Sequence, residues 1–325
     1  MAEKSNADEI SLTRFYRAPL KTVWHAWTDV DQVAKWWGPR GFTLTTHSKE
    51  LKPGGTWNYT MHGPDGVDYP NKTKYLEVDP YSRLVYDHGG NDERSPMFRV
   101  TVLFSEVKGG TRMEMSMRLP TPEAAEATRK LIKKASGDST WDRLAEYLEK
   151  GISGRDTFVI NRTFDTPLET MFEMWTDPRH FSQWLAPTGF TMQFIRSDIR
   201  PGGNALYMMT DGKNVKMYGR VQYTAIEKPS RIVYTQQFCD ENEAISRHPM
   251  APTWPETMLT QVELIEEGPS RTRVTVTWEP YGANTAAELE TFVKGKSGMT
   301  QGWTGSFDKL ESYLPPSGVP DATLG

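Results

Sequence analysis

Trp27-Thr28-Asp29, followed by Trp36, by Pro39, Gly41, Phe42 and Thr43, and by Pro53-Gly54-Gly55, is written a second time further along the chain. It returns as Trp175-Thr176-Asp177, Trp184, Pro187, Gly189, Phe190, Thr191 and Pro201-Gly202-Gly203. With Arg14 to Met61 set against Arg162 to Met209 at a constant offset of 148, about 17 of 48 positions are identical without a gap, which chance does not give. The match resumes after small loop changes, with Arg83, Val85 and Tyr86 against Arg231, Val233 and Tyr234. It closes with Leu144, Tyr147 and Leu148 against Leu310, Tyr313 and Leu314. The chain therefore reads as two diverged copies of one unit of roughly 150 residues.

Outward from this string, each copy opens with an alternating run, Ile10 to Tyr16 and Phe158 to Phe164, which predicts a strand with one buried face. Val23, Trp24, Trp27 and Val30 then recur at helical spacing, and a second short helix carries Val33, Trp36 and Trp37. Beyond Gly41 the period changes to two, broken by Pro53-Gly54-Gly55, Gly63-Pro64-Asp65-Gly66, Asp79-Pro80 and Gly109-Gly110, all turn formers. An antiparallel meander of about six strands is the expected result. One long helix closes the first copy, begun by Thr121-Pro122-Glu123. The second copy closes with Thr285 to Leu314, where Gly295, Gly298, Gly302 and Gly305 are expected to weaken or kink the helix. The predicted boundaries are a flexible N-terminus at 1–9, a first domain at 10–150, a linker at 151–154 with Gly151 positioned to stop the preceding helix, a second domain at 155–314 and a disordered tail at 315–325.

Composition limits the function. At 325 residues each half can bury a sizeable core without a staple. Cys239 is the only cysteine, which excludes an intramolecular disulfide and any cysteine-cluster metal site, and reads as a buried small hydrophobe. Residues 1–152 carry 22 Lys and Arg against 21 Asp and Glu, and the remainder 16 against 21, so neither half has the basic excess that nucleic acid demands. No run of roughly 18 uncharged apolar residues suits a membrane span, so a soluble, cytoplasmic protein is expected. The six histidines lack metal spacing, and the sequence has neither a Gly-x-Ser-x-Gly elbow nor a phosphate loop; no metal or cofactor is expected. His62, His88 and His248 read as solvated loop or strand-end residues. Glu77 is the carboxylate to inspect for a perturbed pKa, with a salt bridge to a neighbouring cation as its ordinary explanation.

The string Met174-Trp175-Thr176-Asp177-Pro178, Trp184, Pro187, Gly189, Phe190 and Arg200-Pro201-Gly202-Gly203 resembles the signature of the family of activators of heat-shock-protein ATPase, as does its first-copy partner. The resemblance covers nearly the whole chain, twice. It implies an α+β fold of two tandem helix-grip (START-like, Bet v 1-like) domains, each a curved antiparallel sheet wrapped around a long C-terminal helix, with two short helices after the first strand. The wider superfamily includes small-molecule carriers, cyclases and co-chaperones, so fold alone leaves function open. The signature tryptophans and the paired glycines also have a packing reading, as large buried rings and as tight-turn residues.

If the sheet grips a helix, its inward face lines the space between them. In the first copy that face carries Trp57, Tyr59 and Met61 on one strand and Met113, Met115 and Met117 on another, with Trp141 on the closing helix. The second copy has Ala205, Tyr207 and Met209, then Val274, Val276 and Trp278, with Trp303 on its helix. Such a lining suits an apolar ligand anchored by a few hydroxyls, and equally suits an ordinary core. Trp57 and Trp141 answer to Ala205 and Phe307, which predicts a larger space in the second copy. Three functions follow. One is binding of a small apolar or amphipathic molecule in one or both domains. Another is docking on a heat-shock ATPase or other protein partner, and a third is a cyclase or hydrolase that works by positioning. The tandem copies are also expected to pack as an intramolecular pseudo-dimer.

Overall fold

The computed structural model describes residues 7–89, 95–134, 139–248 and 251–314, the side chains of residues 133 and 134 excepted. The tail at 315–325 and residues 1–6 lie outside the described residues. Contacts divide the chain between Arg155 and Asp156 into two units.

The first unit runs β1 (Glu9–Tyr16), α1 (Leu20–Thr28), α2 (Val30–Trp36), β2 (Thr43–Lys49), β3 (Thr56–His62), β4 (Asp68–Asp79), β5 (Arg83–His88), β6 (Phe98–Val107), β7 (Gly110–Arg118), α3 (Pro122–Lys134) and α4 (Ser139–Ser153). The second runs β8 (Phe158–Phe164), α5 (Leu168–Thr176), α6 (Pro178–Trp184), β9 (Thr191–Ser197), β10 (Asn204–Thr210), β11 (Lys216–Glu227), β12 (Arg231–Cys239), β13 (Met258–Gly268), β14 (Arg271–Pro280) and α7 (Ala286–Tyr313). Each unit is one seven-stranded antiparallel sheet, ordered β1-β7-β6-β5-β4-β3-β2 and β8-β14-β13-β12-β11-β10-β9. From β2 to β7 and from β9 to β14 each strand pairs with the next, and the opening strand lies beside the last one. The apolar inner face packs under α4 or α7, with the two short helices closing one end. This is the α+β tandem helix-grip arrangement. No described helix is long and apolar enough to cross a membrane.

The repeated signature residues are the joints of this architecture. Asp29 caps α2 by accepting from the backbone N–H of Asp31 and Gln32, and Asp177 caps α6 by accepting from Arg179 N–H. Thr28 and Thr176 turn their hydroxyls back onto the carbonyls of Trp24 and Phe172. Trp36 and Trp184 are fully buried, and each indole N–H donates to a carbonyl of the preceding helix, Ala26 at 2.9 Å and Met174 at 3.0 Å. In the Pro-Gly-Gly turns Gly54 and Gly202 hold φ of +80° and +79°. Any Cβ on the next glycine would sit 2.2 Å from Glu50 O at Gly55 and 2.1 Å from Asp198 O at Gly203, so the second glycine is required by close approach.

The closing helices depart from expectation in two ways. The described parts of the first copy's closing segment are helical, as α3 and α4; the stretch between them, whose sequence includes Gly137, lies outside the described residues. Helix α4 continues through Gly151 to Ser153 and ends at Gly154, which takes φ +74° and donates its N–H to Lys150 O, because the left-handed stop falls at the second glycine of the seam. Helix α7 runs unbroken across its four glycines, anchored by a reciprocal capping box between Thr285 and Glu288. Two of those glycines are contact sites: a Cβ on Gly295 would approach Trp254 Cζ3 to 3.1 Å, and one on Gly305 would approach Thr188 Oγ1 to 2.5 Å.

Candidate functional site

In the first domain most of the predicted lining residues meet in one aromatic-rich cluster. Trp57, Tyr59, Met113, Met115 and Trp141 are buried in one cluster with Trp27 and Trp36, and Met61 and Met117 pack at its margin. Trp141 of α4 stacks on Trp27 of α1 with centroids 5.6 Å apart and planes 13° from parallel. Trp57 stacks on Tyr59 at 4.1 Å, and Trp37 meets Trp57 edge to face at 5.4 Å. The polar edges are matched: Trp57 Nε1 donates to Thr46 Oγ1 at 3.1 Å, and Trp37 Nε1 to the Tyr59 hydroxyl at 3.3 Å. Lys49 lies over the Trp57 ring, 4.5 Å from its centroid, with its ammonium donating to Trp27 O. Burial, partly offset by Asp29, brings the Lys49 pKa down to about 8.

The second domain is built on the same plan with a different filling. Ala205, Val274, Val276 and Trp303 are buried in its core, and Tyr207 and Trp278 pack against it partly exposed. Met209 is also partly exposed and stands outside that cluster. At the three aromatic positions Trp37, Trp57 and Trp141 the second copy has Leu185, Ala205 and Phe307. Trp175 takes its stacking partner from one helical turn earlier, Trp303, at 6.1 Å and 23°. Phe181 and Phe194, whose rings lie 6.0 Å apart, fill some of the difference. Trp254 covers the start of α7, 5.9 Å from Phe292, while Arg247 joins the same loop to Glu288.

Tyr207 shows the divergence most clearly. Its counterpart Tyr59 lies against Trp57, but Tyr207 lies across β11, where the facing residue is Gly219 in place of Asn71. A Cβ on Gly219 would fall 2.3 Å from the Tyr207 ring, so only glycine permits this placement. The ring thus lies over Gly219.

Sequence reasoning named Tyr59 and Tyr207 and matched Tyr86 with Tyr234, but missed Tyr75 and Tyr223, which the repeat offset of 148 also relates and which complete a tyrosine set. Tyr59, Tyr75 and Tyr86 on β3, β4 and β5 recur as Tyr207, Tyr223 and Tyr234 on β10, β11 and β12, all in the inner clusters. Burial raises every one of these phenols above its ordinary pKa, Tyr207 to about 12. They are therefore protonated donors at neutral pH rather than bases.

Other expectations resolve individually. His88 is not a solvated strand end: it lies on the inner face, stacks on Phe98 at 4.8 Å, and burial lowers its pKa to about 4. His248 is likewise half-buried, edge-on to Phe238 at 5.0 Å, with its pKa lowered by burial, because its loop folds back onto the sheet. His62 falls within β3 rather than a loop and pairs with Asp68 at 2.6 Å. Glu77 makes an exposed pair with Arg83 at 2.7 Å. Cys239 is buried, and burial raises its thiol pKa. No group of three His, Cys, Asp or Glu among the described residues is arranged to hold a metal ion.

One basic residue of each closing helix fixes the signature loop over the interior. Arg143 donates to the carbonyls of Gly38 and Pro39, both at 2.9 Å, and burial, with Arg40 beside it, lowers its pKa to about 10. Lys309 donates to Ala186, Pro187 and Phe190 at 2.9, 3.1 and 2.7 Å. Arg40 is held in turn by Glu146 through a bidentate buried pair at 2.8 and 3.0 Å.

The comparisons with known proteins agree with this arrangement. The family model described as Activator of Hsp90 ATPase homolog 1-like protein matches residues 17–149 and again 165–315. Among solved structures the chain is similar to a protein from Nitrosomonas europaea, at 22% identity and TM-score 0.43 over 46% of this chain and 99% of that one. A protein from Staphylococcus epidermidis is similar at 25% identity and TM-score 0.42, over 46% and 95%. The AHSA1 protein from Silicibacter pomeroyi is similar at 17% and TM-score 0.38, over 48% and 95%. No curated protein matches the chain. The duplicated signature, the paired helix-grip sheets and the two family matches place this chain in the Activator of Hsp90 ATPase homolog 1-like family, of which it carries two domains in tandem.

Proposed function

We propose that the protein binds a small amphipathic molecule inside its second domain, between the inner sheet face and α7, and that the first domain keeps its own interior filled. The observation that carries this reading is the exchange of Trp57 for Ala205, coupled to the exchange of Asn71 for Gly219. In the first domain two stacked rings occupy the inner face at this point. In the second, one is an alanine and the other leans over glycine. Tyrosine hydroxyls and an adaptable Met and aromatic wall suit a ligand that is apolar over most of its surface. Affinity then comes mainly from desolvating that surface in a largely formed site.

The test is a fluorescence titration of the full chain with Nile red, a neutral dye that brightens when it leaves water. Wild type is expected to bind, and Ala205→Trp to weaken binding at least tenfold by refilling the site, while Trp57→Phe in the first domain leaves it within about twofold. Unchanged affinity in Ala205→Trp refutes the location.

A further inference from the structure

One row of inner-face positions crosses all the strands from the middle of each sheet to its opening strand. In the first domain the paired residues are Tyr75, Tyr86, Val100, Met117 and Ile10. In the second they are Tyr223, Tyr234, Thr260, Trp278 and Phe158. The tyrosines are kept, but two apolar side chains, Val100 and Met117, are replaced by the donors Thr260 and Trp278. Helix α7 adds a third donor, Trp303, whose ring lies 5.5 Å from Trp278.

Among the described residues the two indoles have no acceptor, and Thr260, fully buried, has its hydroxyl against Tyr234 without a well-formed hydrogen bond. The indole N–H groups of Trp278 and Trp303 are shut off from water without a partner. Trp175 shares that condition, but so does its first-domain counterpart Trp27, so this donor belongs to the common architecture. The contrast with Trp57, Trp37 and Trp184, whose N–H groups are all matched, isolates Trp278 and Trp303 as features of the second interior, whereas Thr260 beside Tyr234 has a first-domain parallel in Thr73 beside Tyr59. Buried donors left unmade are costly, and native proteins keep few of them.

Building on the second-domain site proposed above, we infer that this row recognises a neutral ligand carrying a carbonyl, ester or ether oxygen, which accepts hydrogen bonds from Thr260, Trp278 and Trp303 while its apolar body lies toward Ala205. The row supplies hydroxyl and indole donors but no cation, so it suits an uncharged acceptor and not a carboxylate, whose burial requires a charge partner.

Two probes of nearly equal shape test this on the full chain: 6-propionyl-2-(dimethylamino)naphthalene, and its 6-propyl analogue that lacks the ketone oxygen. The variant Thr260→Val with Trp278→Met installs the first domain's own side chains, and Trp303→Phe removes one donor while keeping a ring. Both variants are expected to weaken the ketone about tenfold or more and the hydrocarbon analogue by less than twofold, with the ketone emission shifting to the blue as donation to its oxygen is lost. Equal weakening of both probes, or no weakening of either, overturns the inference while leaving the site itself in place, because the row is then only an apolar wall. Failure of both probes to bind wild type overturns the site, and the inference with it.

Discussion

Replacing Trp57 by alanine should convert the first domain's interior into the second's, at a cost that its contacts define. Trp57 is 3% exposed. It stacks on Tyr59 at 4.1 Å, meets Trp37 at 5.4 Å, donates to Thr46 Oγ1, and lies beneath the Lys49 ammonium. Truncating a buried Trp to Ala costs about 3–5 kcal/mol in transfer and cavity energy. The cation–π contact adds up to about 1 kcal/mol, and Thr46 Oγ1 loses the indole donor. A drop of about 4 kcal/mol in the first domain's unfolding free energy is expected, measured by urea denaturation of the full chain at pH 7. Two further signs should accompany it. Lys49 gains access to water, so its pKa should rise from about 8 toward the ordinary lysine value, followed by NMR of the ammonium. The apolar space left behind should also take up Nile red, as dry engineered cavities accept apolar guests. A loss below about 1.5 kcal/mol with no movement of Lys49 would refute the filled-core account of the first domain.

Stability of the first domain should depend on pH through His88. Its imidazole titrates at about 4 in the fold and near 6.5 when unfolded, so between these values the unfolded chain binds more protons and stability falls as pH is lowered. About 2 kcal/mol should be lost between pH 8 and pH 5, and His88→Gln, the residue the second copy has as Gln236, should remove that part of the pH dependence. Parallel urea-derived stability profiles of wild type and variant would contradict it. At the signature loop, Arg143→Ala strips donors from several carbonyls and should destabilise by about 2–3 kcal/mol, whereas Arg143→Lys should recover most of this, since Lys309 performs the same task in the second domain. Calorimetry in which lysine rescues no better than alanine would refute the shared role.

Features that depend on near neighbours in the chain could be read from the sequence. The repeat, the order of strands and helices, and the glycine turns could be read in this way, because local spacing specifies them. Even there the helix stop moved from Gly151 to Gly154, because two glycines at one seam offer two stops and only packing chooses between them. The inward faces of β3, β7, β10 and β14 followed from period two. What decides the candidate site required the tertiary structure. Cross-strand register sets Tyr234, Thr260 and Trp278 in one row, and pairs Tyr207 with Gly219 so that its ring can lie over the glycine. Helix phase makes Trp303, and not Phe307, the stacking partner of Trp175. His88 stands at a strand end, as read, but is half-buried there because Phe98 on β6 stacks on it. Sequence alone fixes which residues alternate along a strand, but only the folded sheet decides which residue of the next strand stands opposite, and the chemistry of this interior lies in those pairings.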